Sequence, residues 1–242
     1  MRFDQYFDIT NGTGCGITDA LGQIHQSQLD CSTRWLQNYF SNYSGAVFDL
    51  CLDKDPFTMS ASDLYSVGSL SMEKFWSPSD ISRKIARFNS DKRVSLTCVN
   101  ANCAIHFHCV LNRVPVAANV YSAVQGSQLR SDLDLLWDLI GGLVGVTTDA
   151  PPSRTKPLAR KRPALIPILD KKGSIADRKA KGDGNGTYWD SIISEMVTCQ
   201  VSIQQGVANM QNHPGIPSEI SELRVIDILV WMFRTNQNDR CR

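Results

Sequence analysis

The 242-residue chain lacks any apolar run of 18 residues, and its opening MRFDQYFD has none of the layout of a secretory leader. A membrane-spanning or exported protein is therefore disfavoured, and a soluble, cytoplasmic one is the expectation. The chain also lacks net charge: 25 Lys and Arg against 24 Asp and Glu leave +1, so it is not basic throughout. Histidine is scarce, at four residues, and no nucleophile elbow or Cys-His arrangement stands out. The glycine-rich points, NGTGCG near the start and GDGNG at 182–186, lack the lysine and the strand–loop–helix context of a phosphate loop and read as turns. No internal repeat is visible. The eight cysteines show little order, since Cys15, Cys31, Cys51, Cys199 and Cys241 share no short spacing. Free thiols, several buried as small apolar groups, are expected rather than a disulfide framework.

What is present suits a globular protein. Hydrophobic residues make up 42% of the chain, enough for one sizeable domain or two small ones and too many for disorder throughout. Charge is unevenly placed. Between Arg154 and Lys181 lie ten Lys or Arg residues against Asp170 and Asp177, a segment of 10 − 2 = +8 on a remainder that is net acidic. One basic strip on an acidic body is the pattern of a protein that meets a polyanion on one side.

Apolar spacing predicts a mostly α fold. Leu21, Ile24, Leu29, Trp35, Leu36 and Phe40 recur at helical intervals over 17–43. Thr58 or Ser60 caps a helix with Asp63 in its first turn. Ser77 or Ser79, with Pro78, starts another that carries Ile81, Ile85 and Phe88 on its buried face. In RVSLTCVNANCAIHFHCVLNR (93–113) β-branched and polar residues alternate, so a short β-hairpin through Asn100-Ala-Asn102 is allowed, as is a helix over the second half. LRSDLDLLWDLIGGLVGV is a clear helix on Leu133, Leu136, Trp137 and Ile140, stopped by Gly141-Gly142. A loop over 171–187 precedes a long helix from about Tyr188 to Met210, built on Trp189, Ile192, Ile193, Met196 and Val197. Pro214 and Pro217 then break the chain before a last, largely buried helix, SELRVIDILVWMF. The division expected is an N-terminal helical extension, 1–45, and a helical domain, 46–242, that carries the basic segment 154–181.

Two stretches carry candidate chemistry. Cys98, Cys103, His106, His108 and Cys109 have zinc-binding side chains, but C-x4-C-x2-H-x-H-C fits no common structural zinc pattern. As a strand, 103–109 puts the histidines on one face and Cys103 and Cys109 on the other, which splits the ligands. The reading preferred is a half-buried strand or helix whose thiols fill core space, with no metal and no cofactor. The second stretch is LARKRPALIPILD, Leu158 to Asp170. It reads either as a surface helix turn ended by Pro163 before a buried ALIPIL segment, or as part of a phosphate clamp. In the second reading the glycine turn of LIGGLVGV aims backbone N–H groups at a phosphate, lysines and arginines add charge-assisted contacts, and Asp170 is held near a sugar C1′. Trp137 and Trp189 are core residues in one reading and stacking wedges in the other.

LVGVTTDA…LARKRPALIPILD resembles the helix-hairpin-helix stretch of the base-excision DNA glycosylases, in which an L-P-G-V-G hairpin, a helix and a Pro-containing run lead to the catalytic aspartate. FTMSASDLYSVGSLSM (57–72), LWDLIGG (136–142), KPLARKRPALIPILD (156–170) and ISELRVIDILVWM (220–232) resemble an uncharacterised actinobacterial-type family with such a glycosylase-like core. The resemblance spans residues 45 to 235, with poorly matched stretches between. It implies a helix-hairpin-helix glycosylase-like domain in which Leu143, Gly145 and Val146 match the hairpin and Asp170 takes the place of the catalytic aspartate. Val144 replaces the hairpin proline and Thr147 its second glycine. Pro151, Pro152 and Pro157 require a remodelled hairpin or a late second helix. The Schiff-base lysine of bifunctional members falls at Thr148 or Asp149, so water rather than an amine is the implied nucleophile. Iron–sulfur cysteines have no counterpart.

The resulting expectation is a monofunctional glycosylase acting on a damaged or modified base in double-stranded DNA, with the target nucleotide flipped out. It would serve in repair or in defence against modified phage DNA, in the cytoplasm at the nucleoid. Asp170 would be catalytic, and Gly145, Thr147, Arg154, Lys156, Arg160, Lys161 and Arg162 would bind DNA. The alternatives are a non-catalytic DNA-binding module and a protein that docks an acidic partner on the basic strip.

Overall fold

The computed structural model describes residues 26–51, 55–70, 77–98, 103–123, 127–145, 151–168, 193, 196–197 and 199–235. Among them there are about nine α-helices and no strand. In chain order these are α1 (Gln26–Asn42), α2 (Ala46–Leu50), α3 (Ala61–Ser69), α4 (Pro78–Leu96), α5 (Phe107–Arg113), α6 (Gln128–Val144), α7 (Pro151–Lys161), α8 (Gln200–Gln211) and α9 (Glu222–Thr235), with a 3₁₀ turn at Val120–Ser122. Ile193, Met196 and Val197 are also helical, whereas Trp189 and Ile192 of the expected long helix lie outside the described residues. No described helix is long and apolar enough to cross a membrane.

The chain divides into two compact units, residues 44–166 and residues 1–43 together with 167–242. Within the second of these units α1 packs with α8 and α9. Leu36 of α1, Ile203 and Val207 of α8 and Leu229 of α9 are all buried in that unit. Polar contacts supplement the apolar ones: Arg224 donates to the Tyr39 hydroxyl at 2.9 Å, and Gln37 Nε2 to the carbonyl of Pro214 at 2.9 Å. Trp231 meets Tyr43 edge to face, with ring centroids 5.1 Å apart. Cys31 and Cys199 of this unit are disulfide-bonded, where their spacing predicts free thiols. Cys51, Cys98, Cys103 and Cys109 are thiols.

In the unit of residues 44–166 local sequence sets most helix starts. Ser60 and Ser77 cap α3 and α4 in full capping boxes with Asp63 and Asp80, and Pro78 occupies the first turn of α4, where its missing N–H costs nothing. The expected β-hairpin is absent among the described residues. Phe107, His108, Val110, Leu111 and Val114 are buried, the i, i+1, i+3, i+4, i+7 set of a helical face rather than the alternation of a strand. The turn at Asn100–Asn102 lies outside the described residues.

Seven residues rarely hold a helix by themselves, and α5 is held at both ends by charges from other elements. His106 provides no side-chain cap. Instead Asp91, on α4, accepts the backbone N–H of Phe107 at 3.1 Å and of His108 at 3.0 Å, and sits 2.6 Å from His108 Nδ1. A carboxylate at the N-terminus and a guanidinium at the C-terminus, that of Arg162, both match the helix dipole. Arg113 in the last turn also pairs with the buried Asp132 of α6 at 2.7 Å.

Burial pushes the Asp91 carboxyl up, but the His108 side chain and the His108 and Phe107 amides outweigh it and hold it below its ordinary range. A depressed carboxyl stabilises the fold at any pH above its unfolded value of about 4, and that contribution is lost as pH falls through the lower folded value. Urea titrations at neutral pH are expected to place Asp91→Asn about 1–3 kcal/mol below wild type. Repeated below pH 4, they are expected to show the gap narrowing as the wild-type carboxyl takes up its proton.

Candidate nucleic-acid interface

Ser127 caps α6 by accepting the amide of Arg130 at 3.2 Å, and Leu133, Leu136, Ile140 and Val144 bury its apolar face. Gly141 and Gly142 do not stop the helix, which runs on to Val144. Gly141 serves packing instead: a Cβ there would lie 2.8 Å from Cζ of Arg154. That guanidinium lies 5.4 Å over the Trp137 ring and donates to the Trp137 carbonyl at 3.3 Å, so Trp137 is half-buried under a cation rather than standing free as a wedge.

Gly145 is what ends the helix. Its φ of 73° is left-handed, and its N–H returns to the carbonyl of Gly141. A Cβ at Gly145 would also come within 2.6 Å of Arg87 Nη1. Arg87, exposed on α4, reaches the Leu143 carbonyl at 3.5 Å. Thr147 and Asp170 lie outside the described residues. The second helix starts at Pro151, with Pro152 also in its first turn and Pro157 inside it. A late start therefore accommodates two of the three prolines, as first-turn positions need no N–H donor.

The basic run that follows is mostly interior. Lys156, Lys161 and Arg162 are buried, and Arg160 is nearly so. Lys156 Nζ bonds the carbonyl of Leu70, which follows α3. Arg160 bonds the carbonyls of Phe48 at 2.7 Å and Cys51 at 2.9 Å, at the end of α2, and the carboxylate of Asp63 at 3.1 Å. Lys161 pairs with the other oxygen of Asp63 and donates to the carbonyl of Asp55 at 2.8 Å. Arg162, only 1% exposed, donates to the carbonyls of Val114, Pro56, Lys161 and Leu111 at 2.7–3.1 Å.

The physical cause is general. The last carbonyls of a helix have no partner within it and carry partial negative charge, and α2, α3 and α5 all end against α7. Burial pulls the Arg162 guanidinium down to about 10, which leaves it charged at neutral pH. Lys156, Arg160 and Arg162 thus bond carbonyls at helix ends, Lys161 bonds Asp63 and the Asp55 carbonyl, and Arg154 meets Trp137.

Asp63 joins this network to a helix start. It is fully buried, accepts the Ser60 amide at 2.8 Å, and pairs with both Arg160 and Lys161. In the sequence it is visible only as the third residue of a capping box. Its second role, like those of Asp91 and Arg87, has no local signal, because the partners are tens of residues away.

The Cys/His cluster is assembled in part. The sulfurs of Cys98, Cys103 and Cys109 lie within 4.8 Å of one another. His106 and His108 turn to Asp91, at 3.6 and 2.6 Å.

A family of unknown function (DUF6308) matches residues 90–234, and the chain belongs to it. No curated protein and no solved structure matches the chain.

Removing Asp63 leaves two buried cations without their carboxylate. Asp63→Ala is expected to cost about 3–5 kcal/mol of stability in urea denaturation. Arg162→Met strips the donors from four carbonyls and is expected to cost at least about 3 kcal/mol. An unchanged unfolding midpoint for Arg162→Met, with weakened DNA binding, would point to a phosphate contact rather than an interior one.

Proposed function

We propose that the protein binds duplex DNA at the α6–Gly145–α7 hairpin and hydrolyses the N-glycosidic bond of a damaged or modified base. The observation that carries this reading is an order of parts. A helix ended by a left-handed glycine is followed, after five intervening residues, by a second helix and then by the buried residues Leu165, Ile166 and Ile168, which lead in sequence toward Asp170. The amide of Ile168 bonds the Asp227 carboxylate at 2.8 Å, which anchors the segment from which Asp170 departs.

In this reading phosphate is met by the hairpin backbone and by Arg87, which is exposed beside Gly145, rather than by the basic run. The buried cations act from inside the protein. They fix α7 within the unit of residues 44–166. Asp170 would stabilise positive charge developing at C1′ of an extruded nucleotide and orient the attacking water. Water supplies the hydroxyl group to C1′, the base leaves with the bonding electron pair and takes up a proton, and an abasic site remains. Docking of an acidic protein on the strip is not favoured, since the heads of Lys156, Arg160, Lys161 and Arg162 bond interior groups.

Abasic-site assays on plain, uracil-containing, alkylated, oxidised and phage-type hypermodified DNA test the proposal. Cleavage at one substrate by the wild type, lost in Asp170→Asn, is expected. Equal excision by that variant would remove Asp170 from the mechanism, and salt-sensitive binding without excision anywhere would leave a non-catalytic DNA-binding module. Arg87→Ala is expected to weaken duplex binding uniformly across sequences and to reduce the salt slope by about 1, with little change in stability.

A further inference from the structure

Cys98, Cys103 and Cys109 are brought together by the same helical choice that removes the expected hairpin. Cys98 follows the C-terminus of α4, Cys103 lies in the connection, and Cys109 is the third residue of α5. On a strand Cys103 and Cys109 share a face that excludes the histidines. On loop plus helix, Cys109 turns back toward the connection and meets Cys98 as well. All three are thiols, and each sulfur lies within 4.8 Å of the other two. Bonds of about 2.3 Å to a tetrahedral zinc ion place sulfurs about 3.8 Å apart, so a small contraction is enough. A disulfide would join two of them and leave the third aside.

We infer that Cys98, Cys103 and Cys109 form a three-thiolate site for zinc, which ties the end of α4 to the start of α5. The backbone amides of Ile105 and His106 lie within hydrogen-bonding reach of the Cys103 sulfur, and metal uptake displaces the thiol protons. His108 is committed elsewhere: Nδ1 faces Asp91 and Nε2 accepts the Met59 amide at 3.4 Å. Among the described residues the protein supplies three sulfurs, which leaves the fourth tetrahedral position to a further ligand. An all-thiolate set selects zinc-class cations over magnesium or calcium. Such a site would tie together two helices that Asp91 also joins through the Phe107 and His108 amides.

Metal analysis of the reduced, full-length protein purified from zinc-supplemented culture is expected to find one zinc per chain. Exchange for cobalt is expected to produce thiolate-to-metal charge-transfer absorption of three-sulfur intensity. Cys98→Ser and Cys109→Ser are each expected to weaken binding by at least about 100-fold, while Cys51→Ser, at the free cysteine outside the cluster, changes nothing. Should a serine variant fail to fold, the wild type decides alone. Alkylation followed by mass spectrometry is expected to find the three cysteines protected in the metal-loaded protein and modified in the stripped one. Less than about a tenth of an equivalent of zinc or cobalt at saturation would overturn the site. So would a cobalt spectrum without thiolate absorption, or unchanged affinity in both variants.

Discussion

The unit of residues 44–166 depends on one constraint: the ends of its short helices must be satisfied inside the protein, and buried charges do it. Helices of five, nine and seven residues, α2, α3 and α5, finish with carbonyls that accept from side chains of the basic run. Arg160, Lys156 and Arg162 supply the donors, and all three come from a single stretch of seven residues at the end of α7. An apolar substitute at any of these positions could fill the space but not satisfy the carbonyls. The cost of an unpaired buried acceptor, about 1–3 kcal/mol, is large against the total stability of a domain of this size.

Signs are matched throughout the network. Asp91 meets the positive end of α5 and Arg162 the negative end, and Asp63 neutralises Arg160 and Lys161 while closing the cap of α3. Buried charges are tolerated because each is paired or fully hydrogen-bonded. Since α7 and Arg162 just beyond it are tied to three helix ends, those basic side chains are held inside the unit, while Arg87 is exposed beside Gly145. A site is more sharply defined on a scaffold held this way than on one whose cations must serve both core and ligand.

The Cys98–Cys103–Cys109 cluster sits at the opposite end of α5 from Arg162, close to the Asp91 cap. Three different interactions (a carboxylate, a set of thiols and a guanidinium) thus converge on seven residues whose own helical tendency is weak. That convergence explains why a segment with strand-like alternation is a helix here: tertiary partners override the local pattern.

What could be read in the sequence is what depends on neighbours in the chain. Thr58 or Ser60 and Ser77 or Ser79 marked the starts of α3 and α4, the apolar stripe of Leu133, Leu136 and Ile140 announced α6, and the last helix was evident from ISELRVIDILVWM. Each signal spans only a few residues, so local chemistry suffices. The strip LARKR was legible as charge but not as placement, because composition does not say which way a long side chain points. The stop at Gly141 was misplaced by four residues, since nothing local shows that Arg154 needs that space or that Gly145 carries the left-handed turn. By itself the sequence determined an α-helical protein and the approximate place of several of its helices. Only the tertiary structure decided that the basic run is interior, that α1 belongs with α8 and α9, and that three cysteines meet. The reason is the same in each case: helix ends and buried polar groups are satisfied by residues far away in the chain, and such partners exist only once the chain has folded.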